Sequence, residues 1–397
     1  MKPLKYLFIS SMLFVATSCG NSWLDLEPST SVDTETSIKI LSDVEFTLNG
    51  IYSTMQSSDA YSGRLVYYGD VTGDDMQAVS STKRVANYYR FNFTKDDNPS
   101  SHWSYLYSII QNCNLILMNI DKLVIDEDDK AYRDDLKGEA LAIRGLALFD
   151  LTRIFGYPYL KDKGASLGVP IIEGLSTIDS KPTRNTVAQC YTKIIDDLTQ
   201  SLSLLGEKFN KGKINKWGAM VLLSRVYLYK GENANALKMA SDAIIGAEKN
   251  KYALWTHEDY PTAWGEDASA SKPGEVLFEI VNLTTDSPGK ESMGYLNSYD
   301  GYDDMCITCS FYQFLKEDPK DIRLKLLSFD KKYYAYVNKY QPQREENIED
   351  ANIPLIRLSE AYLNAAEAAV KENDNDAAVK YLDPIVKRAN PDNTVVG

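Results

Sequence analysis

Between Leu136 and Leu160 the chain reads LKGEALAIRGLALFDLTRIFGYPYL, and this stretch limits the fold more than any other. Leu141, Ile143, Leu146, Ala147, Phe149, Leu151, Ile154 and Phe155 form a wide helical stripe, interrupted only by Arg144, Asp150 and Arg153. A helix so apolar over most of its circumference has to be buried, so other helices must surround it. Gly156 and Pro158 supply its stop: glycine accepts a left-handed cap, and proline cannot continue the helix. The few polar groups inside it, Glu139 and Arg144, read as a buried pair holding helices in register.

Amphipathic segments flank this helix. Ile38, Leu41, Val44, Leu48, Ile51 and Met55 recur at three- and four-residue spacing, which predicts a helix over Ser37 to Met55. A second is predicted from Trp103 to Leu123. Thr186 and Gln189 have capping-box spacing and open a third, carrying Cys190, Tyr191, Ile194, Ile195, Leu198 and Leu202. Ile214 to Ala247 reads as a helix pair broken at Gly231. That pair returns: Lys230, Ala236, Asp242 and Ile244 match Lys371, Ala377, Asp383 and Ile385 at one constant offset. A single hairpin cannot bury its own apolar face, so the two copies must stack on the central helix.

Two segments break the helical period. Tyr61 to Thr94, with glycines at 63, 69 and 73 and tyrosines at 61, 67, 68, 88 and 89, reads as a long loop rich in hydrogen-bonding and stacking groups. Asn250 to Asn352 holds Trp255, Trp264, a strand-like Glu275 to Ile280, and eight tyrosines from Tyr295 to Tyr340. Tyrosines outnumber phenylalanines 27 to 12 over the chain, a bias toward rings with a polar tip that suits a sugar- or peptide-facing surface.

The first residues, MKPLKYLFISSMLFVATSC, have the layout of an export signal: Lys2 and Lys5, an apolar run from Leu7 to Ala16, and small residues before a cysteine. The run is too short to span a bilayer. Ala16-Thr17-Ser18-Cys19 fits a lipoprotein box, with Cys19 acylated as the mature N-terminus. Removal of residues 1–18 takes two lysines with it and moves the net charge from −13 to −15. So acidic a surface argues against nucleic acid and against electrostatic membrane binding, which leaves lipid to hold the chain. Of the other cysteines, Cys306 and Cys309 have CxxC spacing with no histidine or second cysteine pair nearby, so a local disulfide or two free thiols is expected before zinc. Cys113 and Cys190 read as core. Asp300, Asp303 and Asp304 do not follow a calcium-loop spacing and read as a solvated turn.

Taken together, Gly138-Glu139-Ala140, Arg144, Phe149-Asp150-Leu151 and Phe155-Gly156-Tyr157-Pro158 resemble the signature helix of the SusD/RagB family of Bacteroidetes-type surface lipoproteins. Trp23 to Pro28, Gly50-Ile51-Tyr52, Asp318 to Asp321 with Arg323, and Pro354 to Leu363 are similar to it as well, so the resemblance runs from Trp23 to about Arg388. It implies a mostly all-α fold of tetratricopeptide-like hairpins with a loop-rich aromatic insert and minor strand content. The implied division is a signal peptide over 1–18, a tether over 19–32, an N-terminal helical part over 33–249 and a C-terminal part over 250–397, in one unit. That last part lacks the ERxxEL-like helix with which such proteins usually continue, so it is expected to be shortened, leaving Tyr362, Leu363, Leu382 and Val386 more exposed than a core allows.

The function the resemblance implies is capture of oligosaccharide at the outer-membrane surface and its delivery to a SusC-like TonB-dependent transporter, without catalysis and without cofactor or metal. Peptide capture is the alternative within the same class. A glycoside hydrolase needs two positioned carboxylates, but 56 acidic residues make candidate pairs uninformative, and no nucleophile-elbow, HExxH or phosphate-loop motif is present. A protein-only helical scaffold is the third class, and the Tyr/Trp-rich insert argues against it. For the ligand surface, the resemblance points to the Asp70–Tyr89 loop and the Trp255–Tyr302 insert. By side-chain chemistry Trp264, Tyr299 and Tyr88 are the expected stacking planes and Asp75, Gln77 and Arg84 the expected hydrogen-bonding groups, with Trp255 in the core.

Overall fold

The computed structural model describes residues 37–395 apart from 95–98, 178, 266–272, 332–333 and 343–346. The export signal, Cys19 and the tether lie outside the described residues. Among them the first helix, α1 (Leu41–Met55), turns Val44, Leu48, Ile51 and Met55 inward, one residue per turn of a single face. It starts later than its periodicity predicts, because the Asp43 carboxylate accepts the Lys39 and Ile40 N–H groups (2.8 and 3.0 Å) and ends the helix there.

The central helix, labelled α5 (Lys130–Phe155), is buried from Leu136 through Thr152 except at Lys137. It lies between α4 (Pro99–Asn119) and α6 (Val187–Leu204). Thr186 and Gln189 close the predicted capping box on α6: the Gln189 N–H donates to the threonine hydroxyl (3.2 Å), and the Thr186 N–H donates to the glutamine carbonyl (2.9 Å). Two expectations for α5 need correction. Gly156 ends it in extended backbone (φ −106°), not in the left-handed cap. Glu139 and Arg144 are both buried but do not pair. Arg144 donates to both oxygens of Asp197 on α6 (2.8 and 2.6 Å) and to the Asn114 side-chain carbonyl on α4 (2.8 Å). Glu139 instead accepts the Tyr52 hydroxyl of α1 (2.6 Å), whose oxygen takes the Ile214 N–H (3.1 Å). The polar residues therefore make two separate ties across the core.

Burial pushes the Glu139 carboxyl up from the ordinary 4.5 to about 7, against the opposing pull of Lys213 and the Tyr52 hydroxyl. The folded protein holds this proton more tightly than the unfolded chain does. Its stabilisation is thus complete below about pH 4.5 and is lost as pH rises through about 7. Glu139→Gln is expected to flatten the fall in Tm over that interval. Parallel pH–Tm curves for the two proteins would show that Glu139 titrates normally.

The repeats appear as α7 (Lys216–Lys230) with α8 (Asn233–Lys249), and α11 (Leu358–Lys371) with α12 (Asn375–Ala389). Gly231 turns the first hairpin in left-handed backbone (φ 81°), where a Cβ is disfavoured. Buried Asn364 donates to Ser224 (2.9 Å) and Arg225 clasps Glu360 (2.5 and 2.7 Å), so α7 and α11 are fastened by polar contacts as well as apolar ones. On α12 only Ala378 and Tyr381 are buried; Leu382, Ile385 and Val386 are partly open, and Leu363 on α11 is exposed.

Two short helices, α9 (Met293–Leu296) and α10 (Cys309–Lys316), lie between the hairpins, and the described residues also hold three antiparallel two-stranded ribbons: β1 (Met76–Ala78) with β3 (Met305–Ile307), β2 (Val276–Ile280) with β6 (Ile353–Arg357), and β4 (Leu327–Phe329) with β5 (Ala335–Val337). The segment read as one long loop, 61–94, is more ordered than that. It holds α2 (Arg64–Thr72), β1 and α3 (Ala86–Tyr89), with Tyr67 and Val71 buried one turn apart on α2. All four described cysteines are free, Cys306 buried and Cys309 exposed. No described helix is long and apolar enough to cross a membrane.

Candidate functional site

The ribbon β1–β3 joins the two aperiodic segments, placing Gln77 opposite Cys306. Its ends are tied by further backbone bonds, Thr308 N–H to Asp75 carbonyl (2.9 Å) and Val79 N–H to Asp304 carbonyl (3.2 Å). Residues remote in sequence therefore share one surface.

Arg84 is the hub of that surface. Its guanidinium lies 4.0 Å from the centre of the Tyr302 ring and donates to Asp304 and to Glu291, both at 3.2 Å. A cation held over a ring by two carboxylates is fixed in place, and the ring with it. Burial raises the Asp304 carboxyl above the ordinary carboxylate range, and the Arg84 guanidinium beside it opposes that shift. Next to Arg84, Lys83 donates to the Tyr302 carbonyl and pairs with Asp303 (3.6 Å). Asp303 in turn accepts the hydroxyl of buried Tyr336.

Above these groups lie three tyrosines. Tyr295 and Tyr302 meet edge to face with centres 5.0 Å apart, and Tyr299 leans on Tyr336 at 5.8 Å with 47% of its surface exposed. A tight turn sets their spacing: the Tyr302 N–H donates to the Tyr295 carbonyl (3.0 Å), and Gly301 passes so close that a Cβ there would lie 2.0 Å from the same oxygen. Asp303 in this turn and Phe91 beyond α3 both have left-handed backbone (φ 54°) without being glycine. Such strain is uncommon and gathers at ligand clamps. Phe91 also leaves 64% of its surface in solvent beside Phe93 at 39%.

Of the residues expected from sequence, Arg84 is central, Asp75 is exposed at the ribbon's end, Gln77 spans toward the Ile307 carbonyl (3.4 Å), and Tyr299 is open. Two expected stacking planes are buried instead. Tyr88, 1% exposed, is enclosed by Tyr67, Tyr68, Phe93 and His102. Trp264, 6% exposed, packs edge-on against Trp255 (5.0 Å) and Tyr260 (5.6 Å) under the Arg357 guanidinium, in a small core that includes Trp255 as expected. Neither offers a free ring face. Tyr295, Tyr302 and Phe91 were not singled out by sequence. The spacing of Tyr295, Tyr299 and Tyr302 was visible, but a short turn presents them rather than a long helix, so periodicity did not reveal it.

Asp303 and Asp304 spend their oxygens on Tyr336, Lys83 and Arg84, and among the described residues no cluster of His, Cys, Asp and Glu is arranged to hold a metal ion. What the face offers is flat rings, fixed donors and fixed acceptors side by side. This chemistry matches ligands with apolar ring faces and many hydroxyls.

The chain is similar to known proteins in both sequence and structure. A family described as "Starch-binding associating with outer membrane" matches residues 22–228, and one described as "SusD family" matches 326–397. A solved structure of a candidate sugar binding protein from Bacteroides vulgatus is 81% identical with TM-score 0.90, covering 91% of this chain and 81% of that one. A SusD superfamily protein from the same organism is 37% identical with TM-score 0.85, covering 90% of this chain and 82% of that one. SusD-like protein P2 of Formosa agariphila is 28% identical over 76% of this chain, which spans 57% of that relative's length.

Proposed function

We propose that this chain, which belongs to the SusD family, captures oligosaccharides at the bacterial surface on the face built around Arg84 and passes them to a TonB-dependent transporter in the outer membrane. The observation that carries this reading is the turn of Tyr295, Tyr299 and Tyr302 fixed against Arg84, Asp303 and Asp304. The 81% identical relative, described for sugar binding, supports the ligand class. Sugar rings lay their C–H faces on the tyrosines, and their hydroxyls exchange hydrogen bonds with Asp75, Gln77 and the charged groups. Binding without turnover fits the site, because its paired acids hold cations rather than stand free to transfer protons.

Tyr299→Ala is the direct test, since its ring is exposed and its loss leaves the core intact. Removal of one stacking plane is expected to cost about 1–3 kcal/mol, roughly tenfold or more in affinity, with Tm unchanged. Affinity electrophoresis against a panel of polysaccharides, with calorimetry against oligosaccharides and peptides, reads the effect. Unchanged retention by a folded variant would place the ligand elsewhere, and retention of peptides alone would change the ligand class. The anchor reading has its own check: Cys19→Ala is expected to release the folded protein from the membrane fraction, and persistent association in a strain without the transporter would refute a lipid anchor.

A further inference from the structure

A second cleft, of about 360 Å³, opens between α2, α5, α7 and β6, and none of its lining residues belongs to the Arg84 face. Its walls are partly aliphatic, from residues such as Leu65, Ile154 and Leu355, and partly charged. Asp150, 3% exposed, accepts the Tyr61 hydroxyl (2.7 Å) and pairs with Arg153. Arg153 lies 4.8 Å from the Phe149 ring centre and 5.4 Å from that of Tyr229, whose hydroxyl it approaches at 3.4 Å. Arg225, also lining the cleft, is held by Glu360.

These contacts tie α5 and α7 to their neighbours, which explains why the charges are paired. It does not explain the open volume beside them. The pairing also selects the occupant. Each arginine is neutralised by its own carboxylate, so the cleft has no net pull on a free anion or cation. An apolar molecule would cover the guanidinium N–H groups of Arg153 and Arg225 that face the cleft without offering them an acceptor. A neutral molecule with apolar ring faces and hydroxyls that both donate and accept satisfies the aliphatic wall, the Tyr229 ring and hydroxyl, and the arginine donors together. The volume lies at the lower end of the ~300–1,000 Å³ typical of small-ligand pockets, the scale of a monosaccharide or disaccharide.

We infer that this cleft is a second carbohydrate site, taking a neutral monosaccharide or the end unit of a chain between Tyr229, Arg153 and Arg225. The inference rests on the carbohydrate reading of the chain but not on the location of the Arg84 face.

Nitrogen-15 NMR of the full mature protein, observing the Arg153 and Arg225 Nε–H signals during titration with the methyl glycosides of glucose, galactose and mannose, tests it. At least one glycoside is expected to shift both signals saturably. Tyr229→Ala, at an exposed rim position, should weaken that response at least tenfold, and Tyr299→Ala should leave it intact. No saturable shift with any glycoside overturns the inference, as does a response that Tyr299→Ala abolishes and Tyr229→Ala spares. Polysaccharide retention without arginine shifts sinks the cleft and leaves the face standing. Arginine shifts without retention support the cleft and sink the face.

Discussion

Replacing Asp197 with alanine is expected to cost about 3–5 kcal/mol of stability, the scale for breaking a buried ion pair from one side. Asp197 has no exposed side-chain surface, and its partner Arg144 keeps only 9%. Both carboxylate oxygens are taken by the Arg144 fork, with Lys193 a further 3.2 Å neighbour. In the variant the guanidinium retains only the Asn114 carbonyl, and α5 and α6 close over an uncompensated charge. Against a typical total of about 5–15 kcal/mol, that loss would bring the fold close to its limit. Urea unfolding of Asp197→Ala and of Arg144→Met with Asp197→Leu separates charge burial from packing: the double variant is expected to recover most of the loss, because it leaves no orphaned charge. A loss below about 1 kcal/mol in the single variant, the scale of an exposed pair, would mean that solvent reaches Arg144.

The second large effect is expected at Gly301. A Cβ there would stand 2.0 Å from the Tyr295 carbonyl oxygen and 2.9 Å from its carbon. Both are backbone atoms of a turn closed by Tyr302 N–H to Tyr295 carbonyl and Asp303 N–H to Ser298 carbonyl bonds, so no flexible side chain can give way. Gly301→Ala must therefore open the turn, at about 1–3 kcal/mol by the scale of overpacked sites. Tyr302 then leaves its seat on Arg84, and the Tyr295–Tyr302 edge contact is lost. Glycan affinity is expected to fall by more than in Tyr299→Ala, since several contacts move together instead of one ring disappearing. Calorimetry of the two variants decides the matter, and equal losses would mean that the tyrosines act independently of the turn that carries them.

Local chemistry is what the chain spelled out by itself. Val44, Leu48, Ile51 and Met55 face one way because a helix repeats every 3.6 residues; Thr186 and Gln189 cap because they are three residues apart; Gly231 breaks a pair of helices because it alone takes left-handed backbone cheaply. The hairpin repeat and the SusD-like signature of α5 were readable for the same reason, being regularities within short windows. Even there, Gly156 showed the limit: the stop was legible and its backbone conformation was not, because extended backbone ends a helix equally well.

Tertiary structure alone decided who meets whom. Arg144 had Glu139 in its own helix, yet its fork fits Asp197 on α6, where two oxygens are presented in the right plane. Trp264 and Tyr299 both come from an aperiodic, aromatic insert, and nothing local separates them. One is covered because Trp255, Tyr260 and Arg357 converge on it, and the other is left open at a turn. The candidate face exists only because β1 pairs with β3, bringing Gln77 opposite Cys306. A helix is encoded by neighbours a turn apart, whereas burial and ribbon pairing depend on segments whose identity any three-residue strand leaves open, so those choices emerge only when the whole core is packed.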